Sequence, residues 1–193
     1  MLGIMSNAAG AAPAVRRARR TDPDRRNRII DAAVDVIADR GVAGTTVRLI
    51  ARAADVPLGS LTYHFDGLDE LFLLAFERVA EHGSETFAGI LAGHADDPAE
   101  GVARIIENLV AGDTRELVLM VELYSLALRR PEYRVLTQRW MDTSRTSLAE
   151  HLPADIAAFV DVFIEGATLH AALSTEPYDV TGMRAAIRRL TAG

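Results

Sequence analysis

The segment from Leu58 to Phe65 reads LGSLTYHF and concentrates side chains that can form hydrogen bonds. Hydroxyl and imidazole groups can bind phosphate oxygens and the edges of bases, and a glycine among them permits close approach to a groove wall. The chain has no cysteine, no glycine-rich phosphate loop and no HExxH motif, and no two of its five histidines stand three or four residues apart. The sequence therefore predicts binding chemistry, with no catalytic residue, no metal site and no cofactor.

The elements that must position this segment are helices, because strand signals are nearly absent and helical spacing of apolar residues runs through almost the whole chain. The first helix is expected to begin at Asp22 and Pro23 and to end at Gly41. Nine helices are predicted, near residues 22–41, 45–54, 58–65, 68–91, 98–111, 113–129, 131–150, 153–174 and 179–191. The predicted fold class is all-α.

Two of these helices are short and are joined by the tight turn Asp55-Val56-Pro57, which matches a helix-turn-helix. The second helix of such a unit fits the major groove of DNA, and helices this short need support from the first helix. The predicted core of the three-helix unit consists of Ile30, Val34, Ile37, Val47, Ile50, Ala51, Val56, Leu61 and Phe65. The outward face of the third helix is then expected to carry Leu58, Ser60, Thr62, Tyr63 and His64.

Charge is distributed unevenly along a chain whose formal net charge is −6. Residues 1–66 carry ten arginines and seven aspartates, whereas the remainder carries eleven arginines and twenty acidic residues. A basic end on an acidic body is typical of a polyanion-binding unit attached to a body with another task. Chance clustering of arginines near the start of the chain is the alternative explanation.

The N-terminal part of the sequence resembles the tetracycline-repressor (TetR) family of bacterial transcriptional regulators. The resemblance covers about residues 25–72 and is carried by residues in a defined order. These residues are Thr45, Thr46, Val47, Arg48, Ile50, Ala51, Arg52, Ala53, Ala54, Val56, Gly59, Ser60, Leu61, Tyr63, His64, Phe65, Glu70 and Leu71. The remainder is similar to the family in layout only, as an all-helical body of suitable length.

The resemblance implies a homodimeric transcription factor, usually a repressor, that binds a palindromic double-stranded DNA operator. A small molecule in the helical body would change the spacing of the two DNA-binding heads and release the DNA. Matched position by position, Thr46 and Arg48 would hold phosphates, whereas Tyr63 and His64 would grip the DNA backbone. The residues that would face bases are Leu58, Gly59, Ser60 and Thr62.

The sequence departs from the family pattern at several positions. Asp55 stands where the family usually has glycine, but aspartate tolerates left-handed backbone, so the turn is expected to survive. Pro57 replaces a common capping serine, and Thr62 replaces a common tyrosine. Leu68 replaces a lysine that often pairs with a phosphate, so one charge contact per head is missing. The arginines at residues 16–20 could compensate by lying along the minor groove or backbone, and a tail without a role is the alternative.

The helix expected around residues 156–173 is the most apolar of the body, and its polar residues are Asp161, Glu165, Thr168 and His170. The first three form one narrow stripe, so most of the circumference must be buried on more than one side. We expect this helix and the last one to pack against a second copy in a four-helix interface, with complete burial inside one subunit as the alternative. The expected interface residues are Phe159, Phe163, Ala167, Met183, Ile187 and Leu190.

A ligand site is expected in the same body. At about 100° per residue, His170 points away from the polar stripe, toward the expected buried side. There it would be a core or interface histidine, or it would line a ligand site. Several polar or aromatic residues on apolar faces indicate a mostly apolar cavity with few polar groups, the usual form of a small-molecule site. The predicted ligand-binding residues are His82, Met120, Tyr124, Trp140, Ser144 and His170.

These predictions divide the chain into a disordered arginine-rich tail (1–21), a helix-turn-helix unit (22–67) and a ligand-binding and dimerisation body (68–193). No apolar run is expected to span a membrane, because residues 156–173 include charged side chains. The absence of cysteine suits a reducing cytoplasm. Two alternatives stay open: a dimeric helical ligand-binding or protein-interaction module that has lost operator binding, and a helical enzyme that uses His170 with acidic neighbours.

Overall fold

The structure, a computed structural model of one chain, describes residues 24–112 and 114–191. Within these residues the chain forms nine α-helices and no strand, which confirms the predicted all-α fold. The helices are α1 (Arg25–Gly44), α2 (Val47–Ala53), α3 (Leu58–His64), α4 (Leu68–Ala92), α5 (Pro98–Ala111), α6 (Thr114–Ala127), α7 (Pro131–Ala149), α8 (Ala154–Leu173) and α9 (Val180–Thr191). The arginine-rich segment at residues 1–21 and the predicted cap at Asp22 and Pro23 lie outside the described residues.

Helix α1 begins after Asp24 and loses its helical dihedral angles at Gly41, whose φ is 67°. The sequence predicts the end of the helix there, because glycine adopts this backbone conformation without a steric penalty. One further turn follows, and Thr45 Oγ1 donates a 2.7 Å hydrogen bond to the carbonyl of Gly41. The bend leads the chain into α2, where the side chain of Thr46 accepts a 3.3 Å hydrogen bond from the backbone N–H of Leu49.

A tight turn joins α2 to α3. The backbone of Asp55 is left-handed, with φ of 51°, and its N–H donates to the carbonyl of Arg52 at 3.3 Å. The N–H of Val56 donates to the carbonyl of Ala51 at 3.0 Å. These two bonds form a Schellman motif, which satisfies the last carbonyls of a helix. The expectation that aspartate supports this turn in place of glycine is therefore confirmed.

Two apolar clusters hold the helices together. The larger cluster joins residues of α1, α2 and α3 to residues of α4, α6 and α7, so the N-terminal unit and the body share one core. In this cluster Phe76 and Tyr133 are fully buried, with ring centroids 6.1 Å apart. The smaller cluster joins the ends of α4 and α7 to α5, α8 and α9. Packing thus bridges the domain boundary expected near residue 67, and the division into domains stays a prediction.

The predicted core of the N-terminal unit differs from the structure at one residue. The buried members are Ile30, Ile37, Ile50, Ala51, Leu61 and Phe65, and Val34 and Val56 are half-buried against them. Val47, in contrast, is 37% exposed, so its assignment to the core is wrong. It shares a helix face with Ile50 and Ala51, but it is the first residue of α2 and lies beyond the edge of the packed cluster.

Candidate functional site

Helix α3 has an open face formed by Leu58, Gly59, Thr62 and Tyr63, all of which are exposed. Tyr63 is 83% exposed, and a Cβ built on Gly59 would meet no atom within 4 Å. Thr62 Oγ1 donates a 3.2 Å hydrogen bond to the carbonyl of Gly59, which leaves the lone pairs of this hydroxyl available as acceptors. The face therefore combines the apolar side chain of Leu58, the open space beside Gly59 and the hydroxyls of Thr62 and Tyr63.

Ser60 does not belong to this face, and its predicted outward orientation is wrong. Ser60 is only 8% exposed to solvent. Ser60 and Leu61 are the buried residues of α3, so they lie on the side that packs on the rest of the unit, and His64, one turn later, lies at the edge of that side. His64 is accordingly half-buried, with its ring 5.0 Å from that of Tyr63 in an edge-to-face arrangement. The helical spacing alone would have assigned Ser60 correctly.

Two further predicted contact residues lie at the start of α2. Thr46 and Arg48 are both exposed, and the Thr46 oxygen already caps the helix. Leu68, the first residue of α4, is half-buried and packs against the larger apolar cluster. The position at which the family often has a lysine therefore has a packing role here.

A cavity of about 450 Å³ lies among α1, α4, α5, α6, α7 and α8. Its size is in the range of small-molecule sites. Five of the six predicted ligand-binding residues line it, namely His82, Met120, Tyr124, Trp140 and Ser144. Whether they bind a ligand stays a prediction. Within residues 24–112 and 114–191 no group of three acidic or histidine side chains could hold a metal ion.

His170 is exposed and lies outside this cavity, so the prediction that it points toward a buried side is wrong. Helix α8 is turned the other way: Asp161 and Thr168 are buried and Glu165 is half-buried, because the polar stripe faces the cavity. His170 instead lines an open groove between α8 and α9. By length and composition α8 is also the one described helix that could cross a membrane, a test that core helices pass as well.

The polar stripe of α8 is held by partners from α6 and α7. The buried carboxylate of Asp161 accepts hydrogen bonds from the hydroxyl of Ser144 and, at 2.9 Å, from Nε of Arg145. Tyr124 donates a 2.5 Å hydrogen bond from its hydroxyl to Glu165 Oε1. Burial raises the pKa of Glu165 above its usual range, and the nearby charge of Asp161 acts in the same direction. Burial also raises the pKa of Tyr124, so this phenol stays protonated.

The cavity also reaches the N-terminal unit, because Asp31, Val34 and Asp35 of α1 form part of its wall. Arg78 of α4 pairs with Asp31 at 2.5 Å. Arg115 of α6 pairs with Asp35 at 2.7 Å and with Asp39 at 2.5 Å. Helix α1, which shares an apolar cluster with α2 and α3, is therefore in direct contact with the cavity and forms ion pairs with α4 and α6.

An exposed apolar face runs along the side of α8 opposite the cavity. Phe159 is 71% exposed, Val162 is 61% exposed and Leu173 is 75% exposed. Among the other predicted interface residues, Leu190 is exposed, and Phe163 and Ala167 are half-buried.

Met183 and Ile187 are buried inside the chain, so their assignment to an interface with a second copy is wrong. They belong to the smaller apolar cluster, because α9 turns its most apolar side toward α5 and α8. The face of α9 that stays accessible carries Val180 and Leu190.

Comparison with family models gives two matches. The model described as bacterial regulatory proteins, tetR family, matches residues 29–75. The model described as BetI-type transcriptional repressor, C-terminal, matches residues 98–193. The two matches cover the helix-turn-helix with the start of α4 and, separately, most of the body.

The chain is similar to known proteins over most of its length. SCO7518 of Streptomyces coelicolor A3(2), described as a transcriptional regulator, is 43% identical with a TM-score of 0.83, over 89% of this chain and 100% of that one. The multidrug binding protein EbrR, in complex with imidazole, is 38% identical with a TM-score of 0.74, over 88% and 96%. The HTH-type transcriptional regulator BetI 1 of Chromohalobacter salexigens is 27% identical over 173 residues, which are 84% of this chain and 86% of that protein.

Replacing Glu165 by glutamine is expected to stabilise the fold at neutral pH and much less in acid. Because burial raises the pKa of Glu165, the native state holds its proton at pH values where the unfolded state has lost it. The wild-type chain therefore loses stability as the pH rises from the unfolded pKa through the folded pKa, and the variant does not. Urea unfolding at about pH 4 and about pH 7.5, at one protein concentration, measures the difference. An equal gain at both pH values would contradict the burial effect.

Proposed function

The chain belongs to the tetR family of bacterial regulatory proteins, and from this premise we propose that two copies bind a palindromic DNA operator until an organic cation occupies the cavity. The protein is a ligand-responsive, DNA-binding transcriptional repressor. The observation that carries the proposal is the open face of α3, which presents Thr62 and Tyr63 to the outside. Operator binding places the protein in the cytoplasm.

The side chains proposed to contact DNA form two groups, one that contacts bases and one that contacts the DNA backbone. Leu58, Gly59 and Thr62 lie on the open face and contact base edges in the major groove, where Leu58 suits a thymine methyl group. The groups that hold the DNA backbone are Thr46, Arg48, Tyr63 and His64. Ser60 is buried and instead allows α3 to pack closely on its support.

A second copy covers the apolar face of α8. Contiguous exposed apolar side chains on a soluble chain mark an interaction surface, and two-fold symmetry lets the same face pair with itself. Phe159, Val162 and Leu173 supply the apolar area, and Leu190 of α9 is also exposed. Two heads related by a two-fold axis match the symmetry of a palindromic operator.

An organic cation suits the cavity because a carboxylate lies there beside aromatic rings. Glu165 forms no ion pair in the part of the chain that the structure describes, whereas Asp161 pairs with Arg145. Tyr124 and Trp140 have ring centroids 6.3 Å apart, and aromatic faces attract cations. EbrR has structures with ethidium, proflavin and malachite green, which are aromatic organic cations. The buried charge of Glu165 is thus the proposed counter-charge of the ligand.

The two alternatives find less support. For an enzyme that uses His170, the acidic residues of the same helix are out of reach, because Asp161 and Glu165 lie on the other side of α8; Asp179 shares the groove of His170, but no group of three acidic or histidine side chains forms there among the described residues. The alternative of a module without operator binding rests on Leu68 in place of lysine and on α3, which carries no arginine or lysine. Leu68 has a packing role in the shared core, and α3 keeps an open polar face, which supports DNA binding.

Tyr63→Ala is expected to weaken binding to all DNA sequences by similar factors, on the order of tenfold, because it removes a hydrogen bond to phosphate from each head. Thr62→Ala is expected to change the preference at particular base pairs. Ser60→Ala is the matched control, and it should leave both quantities nearly unchanged because Ser60 is buried. Selection from random DNA followed by titration at several salt concentrations measures both effects. Altered base preference with Ser60→Ala alone would contradict the assignment of the open face.

Phe159→Glu is expected to convert dimers into monomers at about micromolar concentration and to weaken operator binding, because it places a charge in an apolar interface. Val135→Glu is the control, since Val135 is an exposed apolar residue of α7 and belongs to neither α8 nor α9. Sedimentation velocity gives the oligomeric state of each variant. An unchanged dimer in Phe159→Glu would rule out α8 as the interface.

Glu165→Gln is expected to lower the affinity for proflavin on the order of tenfold or more, because the variant removes the only counter-charge proposed for the dye. Glu116→Gln removes an equal charge at the exposed edge of the same cavity and should have a smaller effect. Fluorescence titration gives the affinities, and release of operator DNA is followed in parallel. Equal losses in the two variants would mean that general acidity, and no specific contact with Glu165, attracts the dye.

A further inference from the structure

Thr168 is the one buried side chain of the cavity wall whose hydroxyl has no hydrogen-bond partner among the described residues. The residue is 1% exposed. A buried hydroxyl without a partner is unfavourable, and a threonine inside a helix usually avoids this by donating to the carbonyl four residues earlier. Other helical threonines of this chain do so, namely Thr137, Thr143, Thr146 and Thr191. Thr168, which lines the cavity, therefore differs from these four threonines because it lacks this hydrogen bond.

The two neighbouring carboxylates, those of Asp161 and Glu165, differ in whether an oxygen is still available to accept a hydrogen bond. Both oxygens of Asp161 are engaged, one by Ser144 and one by Arg145. Glu165 uses Oε1 to accept from Tyr124, and its Oε2 accepts no hydrogen bond from the described residues. Glu165 and Thr168 are three residues apart on one helix, so their Cβ atoms lie about 5–6 Å from each other. Both side chains therefore belong to the same stretch of the cavity wall.

We propose that Glu165 Oε2 and Thr168 Oγ1 together form a site for an N–H group of the ligand, so that the preferred effectors are cations bearing an amino or ammonium N–H. This inference rests on the proposed function and adds the chemical class of the ligand. A fully alkylated cation satisfies the charge of Glu165 but gives no hydrogen bond to either oxygen. It also displaces any water that bridges them, and such displacement lowers affinity when the hydrogen bonds are not replaced.

Two dyes of equal charge and similar shape separate charge from hydrogen bonding. Proflavin carries amino groups, whereas its fully N-methylated acridinium analogue has no N–H. We expect the wild-type protein to bind proflavin at least about tenfold more tightly than the analogue. In Thr168→Val, which keeps the shape of the side chain, this preference should fall several-fold. Thr168→Ser, which keeps the hydroxyl, should retain the preference, and Thr146→Val on α7 is the helical control.

The outcomes are distinguishable by fluorescence titration of the same protein preparations. Equal affinities of both dyes for the wild-type protein would overturn this inference and leave the proposed function standing. A preference that persists unchanged in Thr168→Val would also overturn it, because size alone would then explain the discrimination. Failure of both dyes to bind would overturn the organic-cation proposal itself. Loss of the preference in Thr168→Val with retention in Thr168→Ser supports the two-point site.

Discussion

The burial of Asp161 fixes the orientation of α8, and the cavity and the outer surface of the body depend on that orientation. An uncompensated buried charge costs roughly 3–5 kcal/mol, so a carboxylate at this depth needs partners. Ser144 and Arg145 of α7 supply them, and the Asp161 side of α8 must therefore face inward. Glu165 and Thr168 follow one and two turns later on the same side of α8, so both lie in the cavity wall. The apolar side of α8 is left exposed, where a second copy can cover it.

The contact of α1 with the cavity gives the ligand a physical route to the DNA-binding unit. A ligand shifts an equilibrium only by its different affinity for two arrangements, so it must contact something that differs between them. Val34 and Asp35 lie on the cavity, while buried residues of α1 share one apolar cluster with residues of α2 and α3. The exposed ion pairs of Arg78 and Arg115 with α1 contribute about 0–1 kcal/mol each, whereas apolar packing contributes far more. Packing therefore holds the head in place, and the ion pairs can exchange partners at little cost.

The sequence predicts the local features of this fold well, because they depend on local chemistry. The nine helices of the described residues and the left-handed Asp55 follow from side-chain types and spacing. The errors at His170, Met183 and Ile187 have one cause: periodicity identifies the faces of a helix but does not say which of them meets the core, a cavity or a partner. Glu165 and Thr168, which line the cavity, are absent from the predicted ligand-binding residues for the same reason. A narrow polar stripe in an otherwise apolar helix was the signal that could have identified them.

The polar groups in the cavity make the empty protein less stable than an apolar lining would. Burial disfavours the charged form of Glu165, and the hydroxyl of Thr168 lacks a partner among the described residues. A ligand that supplies a positive charge and an N–H removes both penalties, so it gains binding energy that an apolar molecule of equal size does not. Binding to the native state alone also raises its stability with ligand concentration. The same two side chains therefore affect both the stability of the protein and the proposed choice of ligand.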